Sequence, residues 1–309
     1  MTTTITAAPR RPARLGARRG WTFAYLTPPV GLLAVFVLLP VSLTVWLSFR
    51  DWSSQTPFGS STAAGLDNYR ALFDDGPVGR EFRNAFRNTV AYAASSIVLI
   101  VPLSLAFGLL IHRVAVRGSG LLRGILFSAY MVPMIAVAIV WSKLYSPTEG
   151  PLNQAFEWAG VDPQPWLSSP DTALRSLVIL NVWQQVGYFT VLMVAGLTQI
   201  PDVVYEAAAI DGATGLRLLW RVTLPLLRRT MLFVVVIALI NAVQVFEPVA
   251  AITQGGPAGS TNTLTYHIRR VGIERTQGGL GSAMAVMLLL ALVVCVGLVF
   301  ALLRRDVEK

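Results

Sequence analysis

The chain has 309 residues, of which 54% are hydrophobic and 13% charged, and its mean hydropathy is +0.60. This composition excludes a soluble domain of ordinary type and indicates an integral membrane protein. The net charge is +9, but the arginines stand at the ends of apolar segments and form no recurring basic face, which argues against nucleic-acid binding. The single cysteine, Cys295, excludes a disulfide framework and a cysteine-rich metal site.

The N-terminal part of the chain predicts a tail, a membrane span and a loop. Residues 1–20 carry arginines among Ala, Thr and Pro, and we expect a disordered basic tail in the cytoplasm. The apolar segment 21–50 is too long for a signal peptide and lacks a small-residue cleavage site, so it predicts an uncleaved first transmembrane helix. Residues 51–83 are polar and predict an extracytoplasmic loop.

The rest of the chain predicts a membrane core over 84–303, followed by a cytoplasmic tail over 304–309. Each span needs roughly 20 apolar residues. Five further segments satisfy this requirement, and they cover residues 88–111, 122–145, 173–198, 229–251 and 280–303. The predicted fold class is therefore all-α integral membrane, with six transmembrane helices.

Basic residues predict the orientation of these helices. With an even number of spans, both termini lie on one side of the membrane. If that side is the cytoplasm, the inner segments hold more than half of the 25 basic residues, as the positive-inside rule requires. We therefore expect a multi-pass protein of the cell membrane with cytoplasmic N- and C-termini, and with the charged loop over 201–228 also in the cytoplasm.

This loop predicts a bent pair of short helices rather than a membrane span. Pro201 and Asp202 suit the first turn of a helix, because proline needs no amide partner there and a carboxylate favours the positive helix end. Gly212 predicts the stop, since glycine accepts a left-handed conformation, and Thr214 can cap a second helix. Glu206 beside two alanines offers a close, charged contact to another protein.

The same loop resembles the EAA loop of the permease subunits of bacterial ABC importers. The matching positions are Glu206, Ala207, Ala208, Asp211, Gly212, Ala213, Leu224 and Pro225. Leu219 and Val222 depart mildly from the family pattern, where Phe and Ile are usual. The resemblance implies that this loop is the cytoplasmic coupling helix that docks into the ATPase subunit.

Other phrases resemble the maltose-type, or carbohydrate-uptake, branch of these permeases. They are Gly65-Leu66-Asp67-Asn68-Tyr69, Gly150-Pro151-Leu152-Asn153, Trp166-Leu167, Trp183-Gln184 with Gly187, and Thr253-Gln254-Gly255-Gly256-Pro257. Gln254 stands where the family usually has glycine. The resemblance implies an ABC ATPase dimer, a second homologous permease subunit, an extracytoplasmic solute-binding protein and the lipid bilayer as partners. It also implies that the chain binds no cofactor itself, while ATP and Mg are bound by the ATPase.

Two predicted spans carry polar side chains at helical spacing, which is costly in a membrane unless the groups face protein or a cavity. One set is Asn181, Gln184, Gln185 and Tyr188, and the other is Asn241, Gln244 and Glu247. Amides both donate and accept hydrogen bonds, as a polyhydroxylated ligand requires. The alternative is that they bond helix to helix. Taken together, the two faces favour a substrate pathway, which the resemblance also implies.

Motifs for catalysis are absent from the sequence. A P-loop needs Gly before its Lys, and neither Lys143 nor Lys309 meets this condition. The chain is therefore expected to be a conduit and not an enzyme. The alternative function is a secondary, ion-coupled transporter, but only Glu247 resembles the intramembrane carboxylates such carriers use. A lipid-linked sugar transferase would need clustered acidic residues, and Asp74-Asp75 lies in a loop.

Overall fold

The computed structural model describes residues 19–113 and 119–304. The predicted N-terminal tail up to residue 18 and the tail after residue 304 lie outside the described residues. The described chain is almost entirely helical, apart from two short antiparallel strands, β1 (Arg50–Asp51) and β2 (Thr62–Ala63). The fold is that of an all-helical membrane protein. It divides into two compact units, Met1–Trp46 and Leu47–Lys309.

The first unit contains most of the first membrane span. Helix α1 (Arg19–Leu33) continues through a π-type segment (Ala34–Leu38) into α2 (Leu39–Leu47). Its residues Tyr25–Leu47 are long and apolar enough to cross a membrane. The π-type segment directly precedes Pro40, whose missing amide disturbs the regular α-helical hydrogen bonds.

In the second unit, a short helix α3 (Asp67–Phe73) precedes α4 (Pro77–Arg113). Asn68 ties α3 to the preceding chain, because its side-chain nitrogen donates to the carbonyl oxygens of Ser48 (3.0 Å) and Arg50 (2.9 Å). The Tyr69 hydroxyl lies 2.6 Å from the Ser48 hydroxyl. Hydrogen bonds from the Gly-Leu-Asp-Asn-Tyr phrase thus hold α3 to the chain around Ser48 and Arg50.

The third predicted span is a broken helix. Helices α5 (Ser119–Met131) and α6 (Met134–Leu144) meet at an angle of 92°. Pro133 explains the break, since proline lacks an amide hydrogen and disfavours helical backbone at the preceding residue, Val132. The span predicted over 122–145 therefore consists of two helices with a sharp bend between them.

A loop helix, α7 (Pro151–Trp158), leads to the central span, α8 (Pro170–Leu197). Asn153 is buried and organises this loop. Its side-chain oxygen accepts hydrogen bonds from the Gln164 amide (3.0 Å) and the Trp166 indole (2.8 Å). Helix α8 begins with Ser169 as its N-cap and Pro170 in its first turn.

Helix α9 (Asp202–Ile210) is followed by α10 (Gly215–Leu218), a π-type segment (Leu219–Thr223) and α11 (Leu224–Val243). Gly215–Val243 forms one span of 29 residues. The prediction of the fifth span at 229–251 is therefore displaced along the chain. The predicted second short helix, α10, is the beginning of the span itself. Pro225 lies inside this helical run, just after the π-type segment, where the i→i−4 hydrogen bonds are already interrupted and a missing amide is tolerated.

The remaining elements are a π-type segment (Val249–Thr253), α12 (Leu264–Arg269), a second π-type segment (Arg270–Glu274) and α13 (Gly278–Arg304). Among the described residues, five helices are long and apolar enough to cross a membrane, and the bent pair α5–α6 brings the number to as many as six. The six predicted spans match this number when the bent pair is taken as one span.

Helix α8 is the centre of the second unit, packing against α4, α5 and α11. Two glycines permit its close contacts. A Cβ on Gly187 would lie 1.8 Å from the Leu126 carbonyl oxygen of α5, and one on Gly196 would lie 2.5 Å from the Thr230 hydroxyl of α11. Because backbone cannot give way cheaply, Gly187 fixes how closely α5 approaches α8.

Candidate functional site

A cavity of about 480 Å³ lies where the bend between α5 and α6 meets α8 and the end of α11. This volume is within the range of about 300–1,000 Å³ that is usual for small-molecule sites. The cavity is lined by Tyr130, Met131, Val132, Pro133, Met134, Gln184, Gln185, Asn241, Gln244 and Glu247. Five of the seven residues predicted for a substrate pathway line it, although they come from separate segments of the chain.

The α5–α6 bend is bonded to α8 through Gln184. The side-chain nitrogen of Gln184 donates to the Val132 carbonyl oxygen at 3.0 Å. Backbone groups released by a helix break must find partners inside a membrane protein, and this hydrogen bond satisfies one of them. Sequence reasoning missed the bend and its wall of the cavity, although Pro133 inside an apolar segment was the available signal.

A chain of polar side chains connects α4, α8 and α11. Asn181 donates to the Ser96 hydroxyl (3.2 Å), Gln185 donates to the Asn181 side-chain oxygen (2.7 Å), and Asn241 approaches the Gln185 side-chain oxygen (3.4 Å). Asn181 is only 2% exposed and does not line the cavity. The structure thus separates Asn181 from the other predicted pathway residues and gives it a helix-to-helix contact.

Gln244 and Glu247 do not continue the face of α11, as their spacing predicted. The helix ends at Val243, Gln244 is its C-cap, and a helical turn resumes at Glu247. Both side chains are exposed and line the cavity. Asn241, Gln244 and Glu247 therefore lie together because the backbone after Val243 is irregular, and not because they share one helical face.

The aromatic residues of α8 already have aromatic partners. Tyr188 is stacked on Tyr130, with ring centroids 4.5 Å apart and planes inclined by 14°. Trp183 contacts Trp141 at 5.5 Å. Tyr188 is outside the cavity lining, whereas Tyr130, which the sequence did not single out, is part of it. The aromatic surface available to a ligand is consequently that of Tyr130.

The segment over 201–225 forms a second candidate site. Helix α9 begins after Pro201 and its last residue is Ile210, so Asp211 as C-cap and Gly212 after it provide the predicted stop. Gly212 has φ +72°, and the Gly212 and Ala213 amides donate to the carbonyls of Ala209 (3.0 Å) and Ala208 (2.9 Å). This pattern is a Schellman motif, which stops a helix and satisfies its last carbonyls. Thr214 is the N-cap of α10, although its side chain makes no capping hydrogen bond.

One face of α9 packs on the core, and the other is open. Val204 and Tyr205 are half-buried against the main cluster, Ala208 is buried, and the Tyr205 ring lies 6.5 Å from the His112 ring of α4. The opposite face exposes Glu206, together with Val203 and Ile210. Within the described residues, Glu206 has no ion pair. The open face therefore combines a free carboxylate with apolar side chains.

The Thr-Gln-Gly-Gly-Pro phrase lies in a tightly bonded loop beyond the cavity. The Thr261 hydroxyl bonds to Thr253 (2.7 Å) and to the Gly256 carbonyl (2.6 Å), while Gln254 has φ +50°. Next to it His267 is buried, and burial lowers its pKa to about 4, against the opposing effect of Glu81. His267 is thus neutral near pH 7, with its Nε2 atom 3.9 Å from the Glu81 carboxylate and its Nδ1 atom 3.2 Å from the Asn262 side-chain nitrogen.

Comparison with known proteins gives consistent matches. Residues 100–309 match the family model of the "Binding-protein-dependent transport system inner membrane component". The chain is 32% identical to the trehalose/maltose transport system permease protein MalF of Thermococcus litoralis, covering 90% of this chain and 89% of that one. It is 29% identical to the sn-glycerol-3-phosphate transport system permease protein UgpA of Agrobacterium fabrum, covering 93% and 95%.

The fold also matches a solved structure. A chain in the crystal structure of a bacterial alginate ABC transporter, in complex with an alginate pentasaccharide-bound periplasmic protein, superimposes with a TM-score of 0.79. The sequence identity is 22%, and the match covers 94% of this chain and 96% of that one. At this identity the likeness concerns the fold.

Proposed function

Because the chain belongs to the family of binding-protein-dependent transport system inner membrane components, in the carbohydrate-uptake branch of ABC importer permeases, we propose that it forms half of the translocation pathway for a sugar or a related polyhydroxylated solute. The chain is a non-catalytic permease subunit of the inner membrane. The observation that carries the proposal is the cavity, in which Gln184, Gln185, Asn241, Gln244 and Glu247 converge within an apolar helical protein.

The segment over 201–225, called the EAA segment below, couples this pathway to ATP hydrolysis. Its open face, with Glu206 beside the small Ala207, fits a docking surface that a partner approaches closely and holds by a charged hydrogen bond. Asp211, Gly212 and Ala213 fix the end of α9, and Pro225 stands at the beginning of α11. A packed, hydrogen-bonded segment of this kind moves as a rigid unit, so it passes a displacement of the ATPase on to the membrane helices.

The proposed assembly contains an ABC ATPase dimer, a second homologous permease and an extracytoplasmic solute-binding protein. ATP and Mg belong to the ATPase, and the permease chain binds no cofactor. The termini and the EAA segment face the cytoplasm, in keeping with the distribution of basic residues. Closure of the ATPase dimer draws the two coupling segments together and turns the two permease halves from inward-open to outward-open.

Affinity purification of the tagged chain from its native membranes tests this proposal. We expect mass spectrometry to identify an ATPase with a P-loop, a second permease and a binding protein. A chain that is recovered alone and still transports solute would contradict the proposal and would favour the ion-coupled carrier.

Replacing Glu206 tests docking to the ATPase without disturbing the fold, because the side chain is exposed. We expect Glu206→Ala to reduce ATP-driven uptake at least tenfold, because loss of one charged hydrogen bond at an interface costs roughly 1.5–3 kcal/mol. The measurement is uptake and ATPase activity of the complex in proteoliposomes. Glu157→Ala, which removes an exposed carboxylate from the loop helix α7, serves as the matched control. Normal uptake by Glu206→Ala would exclude the coupling role.

A further inference from the structure

Two of the amide side chains that line the cavity have their nitrogens engaged in hydrogen bonds to the protein. The Gln184 nitrogen is used by the Val132 carbonyl, at 3.0 Å. Because a carbonyl only accepts hydrogen bonds, the bonded atom of Gln184 must be its nitrogen. The Gln185 nitrogen is likewise used by the Asn181 side-chain oxygen, at 2.7 Å. The Gln184 oxygen has no hydrogen-bond partner within residues 19–113 and 119–304, and the Gln185 oxygen accepts only the long 3.4 Å contact from Asn241.

Charge in the cavity has the same sign as these oxygens. Glu247 contributes an exposed carboxylate, and no Arg, Lys or His of residues 19–113 and 119–304 is among the lining residues. Arg269 lies over the Phe246 ring at 5.6 Å, but its guanidinium is paired with Glu274 at 3.1 Å. In the described part of the chain, no ion pair neutralises Glu247. The wall that this chain supplies therefore combines the acceptor oxygens of Gln184 and Gln185 with a negative charge at Glu247, while Gln244 and Tyr130 add groups that can donate.

We propose that this pathway carries a neutral polyhydroxylated solute and disfavours anions such as phosphate esters and uronates. Sugar hydroxyls donate to the Gln184, Gln185 and Glu247 oxygens, whereas a phosphate or carboxylate has only acceptor atoms to offer and is repelled by Glu247. The inference rests on the proposed function and narrows it. It sets this chain apart from relatives whose names specify sn-glycerol-3-phosphate or alginate.

The charge of the cavity can be measured without knowing the solute. The chain has one cysteine, Cys295, so a Cys295→Ala background allows a reporter at Gln244→Cys. The assembled complex in lipid nanodiscs is treated with two methanethiosulfonate reagents, one carrying a trimethylammonium group and the other a sulfonate. The ratio of their reaction rates is divided by the ratio for free 2-mercaptoethanol, which removes the intrinsic difference between the reagents.

We expect the normalised ratio to favour the cationic reagent roughly fivefold or more, the effect of one nearby charge in a partly hydrated site. Glu247→Gln should bring the ratio close to one, and Glu247→Asp should retain most of it. Glu149→Gln, which removes an exposed carboxylate outside the cavity lining, should leave it unchanged. Met131→Cys, at a lining position that is 72% exposed, provides a second reporter if Gln244→Cys does not fold.

Three outcomes would overturn the inference: a normalised ratio of one or less, a ratio that does not respond to Glu247→Gln, or folded reporters that neither reagent labels. Uptake of sn-glycerol-3-phosphate as the solute of the complete importer would also overturn it, yet would leave the proposed function intact. Failure of the chain to assemble with an ATPase contradicts the proposed function instead, because labelling of the chain alone in nanodiscs still reports the charge of the cavity wall.

Discussion

The EAA segment and the cavity are built in opposite ways. The EAA segment is continuous in sequence, and its shape follows from hydrogen bonds between residues five or fewer positions apart, such as Ala213 to Ala208. The cavity is assembled from the α5–α6 bend, α8 and the chain around the end of α11. One of its supporting hydrogen bonds joins residues 52 positions apart, Gln184 and Val132. A site made locally can be recognised from a motif, whereas a site made by tertiary contacts depends on how closely helices pack.

Changing Gly187 should damage the cavity most. In Gly187→Ala the new Cβ would meet the Leu126 carbonyl at 1.8 Å, so α5 must move away from α8. We expect a loss of roughly 3 kcal/mol in the free energy of unfolding, at the upper end for overpacking, together with loss of transport. Thermal unfolding in detergent and uptake measure the two effects. In Gly124→Ala, on the neighbouring helix α5, the new Cβ has no neighbour within 4 Å, and this variant is the matched control. Equal melting temperatures for the two variants would contradict the close packing of α5 on α8.

Removing Asn181 should have an intermediate effect. Asn181→Ala leaves the buried nitrogen of Gln185 without its 2.7 Å partner, and an unsatisfied buried group costs about 1–3 kcal/mol. We expect a lower melting temperature and slower uptake, because Gln185 is no longer oriented towards the cavity. Gln199→Ala, at an exposed position just beyond the end of α8, removes a side-chain amide that bonds to the nearby Ala195 carbonyl and should change neither quantity. Unaltered uptake by Asn181→Ala would show that this chain of polar groups is dispensable.

Changing Gly212 should have the smallest effect on stability. It has φ +72° and no neighbour within 4 Å of an added Cβ, so Gly212→Ala incurs only the backbone cost of about 1 kcal/mol. Gly212→Asn should cost less, since asparagine tolerates this conformation. We expect both variants to insert and fold normally, while coupling of ATP hydrolysis to uptake falls more in the alanine variant. An alanine variant that melts as low as Gly187→Ala would break the distinction between local and tertiary sites.

The sequence predicted the structure where a single residue determines the local backbone conformation. The end of α9 was predictable from Gly212, and its beginning from Pro201, because each residue has a strong local preference. The cavity was predictable only in part. Helical spacing brought Gln184 and Gln185 together correctly, but it also grouped Asn181 with them, since its partner Ser96 lies 85 positions away and leaves no local trace.

The interruptions of the helices were the other source of error. Pro133 and Pro248 were visible in the sequence, yet proline is tolerated in membrane helices, so neither decides between a kink, a break and an undisturbed span. The 92° bend depends on the packing of α5 against α8 at Gly187 and on the bond from Gln184, which are properties of the folded chain. Hence the position and shape of the cavity could not be read from the sequence.

Residues Gly215–Val243 form one long helical run, which can act as a rigid arm. It begins directly after the EAA turn at Thr214 and ends beside Gln244 at the cavity. At a rise of 1.5 Å per residue, its 29 residues extend over roughly 43 Å. If this helical run tilts by about 5° about its EAA end, its other end moves by roughly 4 Å. This displacement is more than the length of a hydrogen bond. In the proposed importer, a small displacement of the EAA segment would therefore be sufficient to change which polar side chains of the cavity a solute contacts.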